Sequence, residues 1–144
     1  MIKDLKVIEN IKINSTPEQI WNALTNPEKI KVYLFGTETI TDWKEGSSIV
    51  FQGEYQGHQY KDKGNVLGNK KNRFLQYNYW SGFSGLEDKP ENYSIISLDL
   101  KENEDHVELT WTQEGFATEE GHKHTENGLP AMLQQIKKLA EKSD

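Results

Sequence analysis

The stretch Leu129-Pro-Ala-Met-Leu-Gln-Gln-Ile-Lys-Lys-Leu-Ala-Glu-Lys142 constrains this chain most. Apolar residues recur at 129, 132, 133, 136, 139 and 140. That is the i, i+3, i+4, i+7 spacing of one helical face. Gln134, Gln135, Lys137, Lys138 and Glu141 fill the other face. Almost everything upstream alternates with a period of two, as strands do. One long amphipathic helix after many strands implies a sheet that wraps around it.

In chain order, the first strand covers residues 4–14, with Leu5, Val7, Ile11 and Ile13 on one side. Thr16 is an N-cap, Pro17 suits the first helical position, and Gln19 completes a capping box. Ile20, Trp21 and Leu24 give that short helix its apolar face. Asn26-Pro27-Glu28 repeats the start signal for a second short helix, to about Tyr33. Five further segments read as strands, each followed by a turn: Thr37–Trp43, Ser48–Tyr55, Gln59–Leu67 (closed by Gly68-Asn69), Arg73–Trp80 and Asn92–Leu100. A last strand carries Val107, Leu109, Trp111 and Gln113 on one face. Short connections of this kind predict an antiparallel meander. Ser81–Glu91 reads as a loop forming a flap over one end of the sheet. Thr118 caps the final helix, with Glu119 and Glu120 in its first turn, where carboxylates suit the helix dipole. Pro130 removes one backbone donor, so a kink is expected there. The predicted class is α+β, with about seven strands in a single domain at residues 1–144.

Composition removes several classes of function. Seventeen Lys and Arg stand against 23 Asp and Glu, a net charge of -6. Nucleic-acid binding needs clustered basic side chains. The only basic clusters, Lys61/Lys63 and Lys70/Lys71/Arg73, sit near turns as solvated charges. There is no cysteine, hence no disulfide, thiolate nucleophile or cysteine metal site. No signal peptide and no apolar run long enough for a membrane span is evident, so a cytoplasmic protein without nucleic acid or membrane among its partners is expected.

Several residues invite a chemical reading. His122 and His124, with Glu119, Glu120 and Glu126 nearby, suggest a metal. Helix positions two apart point in different directions, so the two imidazoles cannot readily share one ion. No metal, no cofactor and no catalytic residue is therefore assigned. His122 and Glu126, four apart, could form a polar pair at a cavity mouth. Gly82-Phe83-Ser84-Gly85 is not a nucleophile elbow, because no helix follows. Phe51, Tyr55, Tyr60, Tyr77, Tyr79 and Trp111 fall on strand parities that face Leu129, Met132, Leu133 and Ile136. These ten residues either fill the core or line a ligand cavity.

Ile11-Lys-Ile-Asn-Ser-Thr-Pro-Glu-Gln-Ile-Trp-Asn-Ala-Leu-Thr-Asn-Pro-Glu28 resembles the opening signature of the START-like (SRPBCC) superfamily. Gly64-Asn-Val66 with Leu75-Gln-Tyr77, and Leu109-Thr-Trp-Thr-Gln-Glu-Gly115, resemble that superfamily's later strands. The branch most similar is that of bacterial homologues of the activator of heat-shock-chaperone ATPase. One departure stands out. That branch usually carries Gly-Trp in the last helix, whereas here Gly128 is followed by Leu129 and Pro130. The resemblance implies a helix-grip fold. It also implies a cavity taking a small hydrophobic molecule, lipid-, polyketide- or flavonoid-like, at the ten residues above. The alternatives it implies are a chaperone as partner, or a cyclase- or hydrolase-type enzyme in the same cavity. Monomer and homodimer both remain open.

Overall fold

The computed structural model describes residues 1–142. Seven antiparallel strands, two short helices and one long helix follow in the expected order. They are β1 (Ile2–Ile13), α1 (Pro17–Thr25), α2 (Pro27–Tyr33), β2 (Glu38–Ile40), β3 (Ser48–Tyr55), β4 (His58–Lys70), β5 (Phe74–Tyr79), β6 (Ser94–Glu102), β7 (Val107–Phe116) and α3 (Glu119–Glu141). The sheet order is β1-β7-β6-β5-β4-β3-β2. Strands β2 to β7 are a meander. β1 adds to its far edge by pairing with β7, from Ile13↔Val107 to Lys6↔Glu114. The sheet curves around α3 as a helix-grip fold.

The strand parities decide what is buried. Val7 and Ile13 of β1, Ile49 and Phe51 of β3, Val66 of β4, Leu75 and Tyr77 of β5, Ile96, Leu98 and Leu100 of β6, and Val107, Leu109 and Trp111 of β7 face one core. Leu129, Leu133, Ile136 and Ala140 of α3 close it. Fully burying each such side chain is worth about 1.5–3 kcal/mol.

The helix caps are local chemistry. Thr16 accepts from the Gln19 backbone N–H at 3.2 Å, and Asn26 accepts from Glu28 at 3.0 Å. Thr118 accepts from Gly121 at 2.9 Å. The expected capping box forms only in half: the Gln19 side chain pairs with the Ser15 hydroxyl, not with the Thr16 backbone. That hydroxyl also lies 2.7 Å from the Ala140 carbonyl oxygen, so its one proton serves either acceptor, and the Asn14 N–H donates to Glu141 at 2.7 Å. The end of α3 is thereby tied to the β1–α1 junction. Pro130 lies inside α3, which continues as one helix through it rather than restarting.

Two strand boundaries differ from expectation. β2 stops at Ile40, not Trp43. Trp43 adopts a left-handed φ of 62° and donates its indole N–H to the Thr25 carbonyl at 3.0 Å, which bends the chain away from the sheet. β4 does not turn at Gly68-Asn69. A one-residue shift between Val66 and Gly68 absorbs Leu67 as a bulge, and the strand runs on to Lys70. The turn falls at Asn72, whose left-handed φ of 68° an asparagine tolerates.

Candidate functional site

α3 packs along β1 and against α1 and α2. It thereby stands off from the β3–β5 half of the sheet. A cavity of about 570 Å³ lies in that gap. Eight of the ten residues singled out in the sequence line it: Phe51, Tyr55, Tyr60, Tyr77, Tyr79, Trp111, Leu129 and Met132. Leu133 and Ile136 lie elsewhere, in the solid core, at 2% and 0% exposure. Their helical phase carries them past the cavity and onto the packed part of the interface. Leu129, directly after Gly128, borders the cavity and is itself buried.

The floor is aromatic. Phe51 packs edge-on to Tyr79, with centroids 5.3 Å apart, and Tyr77 lies 5.9 Å from Phe51 and 6.1 Å from Trp43. Such contacts hold the rings in fixed orientations. Trp111 is buried, and its indole N–H has no partner among the described residues. The mouth is aromatic too. Phe35, Tyr55 and Phe83 line it and remain exposed. Phe35 is held there by the end of α2. The Gly36 N–H returns to the Lys31 carbonyl at 2.7 Å, and Phe35 itself sits at a left-handed φ of 53°. Phe83 comes from a short 3-10 turn, Gly82–Ser84, inside the loop read as a flap, and its ring lies 6.4 Å from Tyr60.

The polar groups occupy one wall. Thr37 donates its hydroxyl to the Leu34 carbonyl at 2.9 Å, so its 2.6 Å contact with Tyr60 uses the phenolic proton. Gly53 makes room for that arrangement, since a Cβ there would meet the Tyr60 hydroxyl oxygen at 2.6 Å. Tyr79 donates its hydroxyl to Asp62. Burial, then the Asp62 carboxylate, push the Tyr79 phenol far above its ordinary range, and burial does the same to Tyr77. Both phenols stay protonated at any physiological pH. Asp62 is 5% exposed and lines the cavity. The sequence reading passed over it, although it shares the β4 parity of Tyr60, Gly64 and Val66. That parity was the available signal.

The histidines separate. His122 does not reach the mouth with Glu126. Its Nε2 lies 2.9 Å from the Lys6 carbonyl, and its ring packs edge-on to Phe116 at 5.1 Å. His124 and Thr125 line the cavity instead, with Gly128, and Gln113 of β7 lies opposite. His122 and His124 thus point to different surroundings. Among the described residues no helix is long and apolar enough to cross a membrane.

A family model described as Activator of Hsp90 ATPase homolog 1-like protein matches residues 14–141. No curated protein matches the chain. A Cytophaga hutchinsonii protein known from a solution structure is 41% identical, with a TM-score of 0.83, over 98% of this chain and 97% of that one. The solution structure of an Aha1 dimer from Colwellia psychrerythraea is 18% identical, with a TM-score of 0.73, over 95% and 96%. DynU16, from the dynemicin biosynthetic locus, is 12% identical, with a TM-score of 0.76, over 96% of this chain and 48% of that one. The last two share the fold.

Proposed function

The chain belongs to the family of Activator of Hsp90 ATPase homolog 1-like proteins, and from that premise we propose that it binds a small, largely apolar molecule between α3 and the sheet. The cavity carries this reading. Its volume of about 570 Å³ lies within the roughly 300–1,000 Å³ of small-molecule sites. Its lining is largely apolar and rich in aromatic rings, with a few hydroxyls to fix orientation. The fold, which commonly houses hydrophobic ligands, adds support.

The test is heteronuclear NMR of labelled protein against a library of lipids and polyphenols. Shift changes at Tyr77, Trp111 and residues 129–132 are expected. Tyr77→Trp and Met132→Trp should each fill the space and abolish uptake while the protein stays folded. Normal binding by both variants would move the ligand site elsewhere. Silence across the library, together with stimulation of a heat-shock chaperone's ATPase, would replace this reading with that of a protein-interaction module.

A further inference from the structure

A carboxylate in an apolar cavity is costly, since burying a charge is unfavourable unless it is paired. Asp62 sits on the inward face of β4, opposite Phe51 of β3. Its neighbours Lys61 and Lys63 lie on the other parity, and Lys63 is engaged with Asp88 outside the cavity. Only the Tyr79 hydroxyl, on one carboxylate oxygen, supports it among the described residues. Core stability gives no reason to place an aspartate there.

The protons of this wall are already committed. Tyr60 donates to Thr37, Thr37 to the Leu34 carbonyl, and Tyr79 to Asp62. A hydroxyl has one proton and two lone pairs. The wall therefore offers the incoming molecule acceptors: the second Asp62 oxygen and the phenolic oxygens of Tyr60 and Tyr79. Glu54 adds a second carboxylate near the mouth, and no lysine or arginine is among the described lining residues. Of the lining side chains able to donate, His124, Thr125, Gln113 and the Trp111 indole lie on α3 and β7, away from this wall, and the Tyr55 and Tyr77 hydroxyls lie on β3 and β5.

We propose that Asp62, oriented by Tyr79, selects ligands by a hydrogen-bond donor. The molecules taken are apolar ones bearing a hydroxyl or a protonated amine, and those bearing a carboxylate, fatty acids included, are refused. This rests on the cavity reading above and narrows it. A donor to a carboxylate makes a charge-assisted bond, roughly twice as strong as a neutral one. A ligand carboxylate would meet a like charge instead.

Four probes on one skeleton test this by calorimetry near pH 7: biphenyl, 4-hydroxybiphenyl, 4-(aminomethyl)biphenyl and biphenyl-4-carboxylate. The hydroxyl and amine compounds are expected to bind at least tenfold tighter than the carboxylate, with plain biphenyl between them. A preference for the amine over the phenol identifies the selected group as a cation, and the reverse as a neutral donor. Asp62→Asn keeps shape and one acceptor oxygen. It should erase most of the amine's advantage and raise carboxylate affinity severalfold. Tyr79→Phe keeps the charge but frees the carboxylate, so it should weaken the amine preference without removing it. Equal binding of all four by the native protein would overturn the role of Asp62 and leave the cavity reading intact. Binding of none would overturn both. The native-protein comparison decides the point even if Asp62→Asn does not fold.

Discussion

Met132 and Leu133 are adjacent on α3, yet they face different things. Leu133 is 2% exposed and packed on all sides, whereas Met132 borders the cavity and is half-buried. Leu133→Ala removes buried methylenes and leaves a hole that its neighbours cannot close. Losses for such truncations run about 2–5 kcal/mol, and a site locked between helix and sheet belongs near 3 kcal/mol or above. Met132→Ala removes contacts from one side only, because the other side is already open. Full burial of a methionine is worth about 1.5–3 kcal/mol, so a half-buried one should lose about 1 kcal/mol. Both changes gain the same small helix propensity of alanine, which cancels in the comparison. At about 3 °C per kcal/mol for a chain of this size, Tm should fall by about 10 °C for Leu133→Ala and about 3 °C for Met132→Ala. Urea titration of both variants, with unchanged m-values, checks the ratio. Equal losses would mean that Met132 is packed as tightly as Leu133. The space beside it would then be closed in solution, and the reasoning from an open cavity would fail.

Two further outcomes follow from other parts of the molecule. At Gly64 a Cβ would meet the Asn78 backbone carbonyl oxygen at 1.9 Å, so Gly64→Ala must push β4 and β5 apart. A loss of about 3 kcal/mol is expected in thermal unfolding, with amide shifts spreading to the Lys63–Trp80 pair. Glu141 is held below the ordinary glutamate range, first by its hydrogen bond with Lys137 and also by the Asn14 N–H it accepts. A carboxyl depressed in the folded state stabilises above its unfolded pKa, and that contribution fades as pH falls through the folded value. Chemical denaturation between pH 7 and pH 2 should therefore show Glu141→Gln with a shallower acid limb than the native chain. Parallel limbs would remove Glu141 from the tie.

Much of this architecture was legible because burial imposes simple periods. Ile20, Trp21 and Leu24 of α1, and the alternation in β1 and β7, could fall only one way once one face had to be dry. The strand ends were less legible. Trp43 leaves the sheet for a hydrogen bond to Thr25, and Leu67 is absorbed as a bulge; both depend on partners distant in sequence. In the cavity, Phe51, Tyr77, Tyr79 and Trp111 lie on the inward face their strand parity gives them. Asp62 was missed because attention to apolar residues passes over a polar one on the same parity. His122 was misplaced for a different reason. It lies two helical turns before Leu129 and does face the sheet. Periodicity gives the face of a helix, not how far along it the sheet lies close, and at His122 the neighbours are Lys6 and Phe116.

The pairing of β1 with β7 and the tie from Asn14 to Glu141 also bear on how the protein is made. β1 emerges from the ribosome about a hundred residues before the strand that covers it, so for most of synthesis its inward side chains Val7 and Ile13 have no partner. At about 5–20 residues per second that interval lasts several seconds or more. The meander of β3 to β6 can assemble as it appears, but the roof provided by α3 arrives last. The nascent chain therefore passes through a stage in which the aromatic floor is laid open to any hydrophobic surface nearby. That stage, rather than the finished fold, is where its dependence on cellular folding helpers should be greatest.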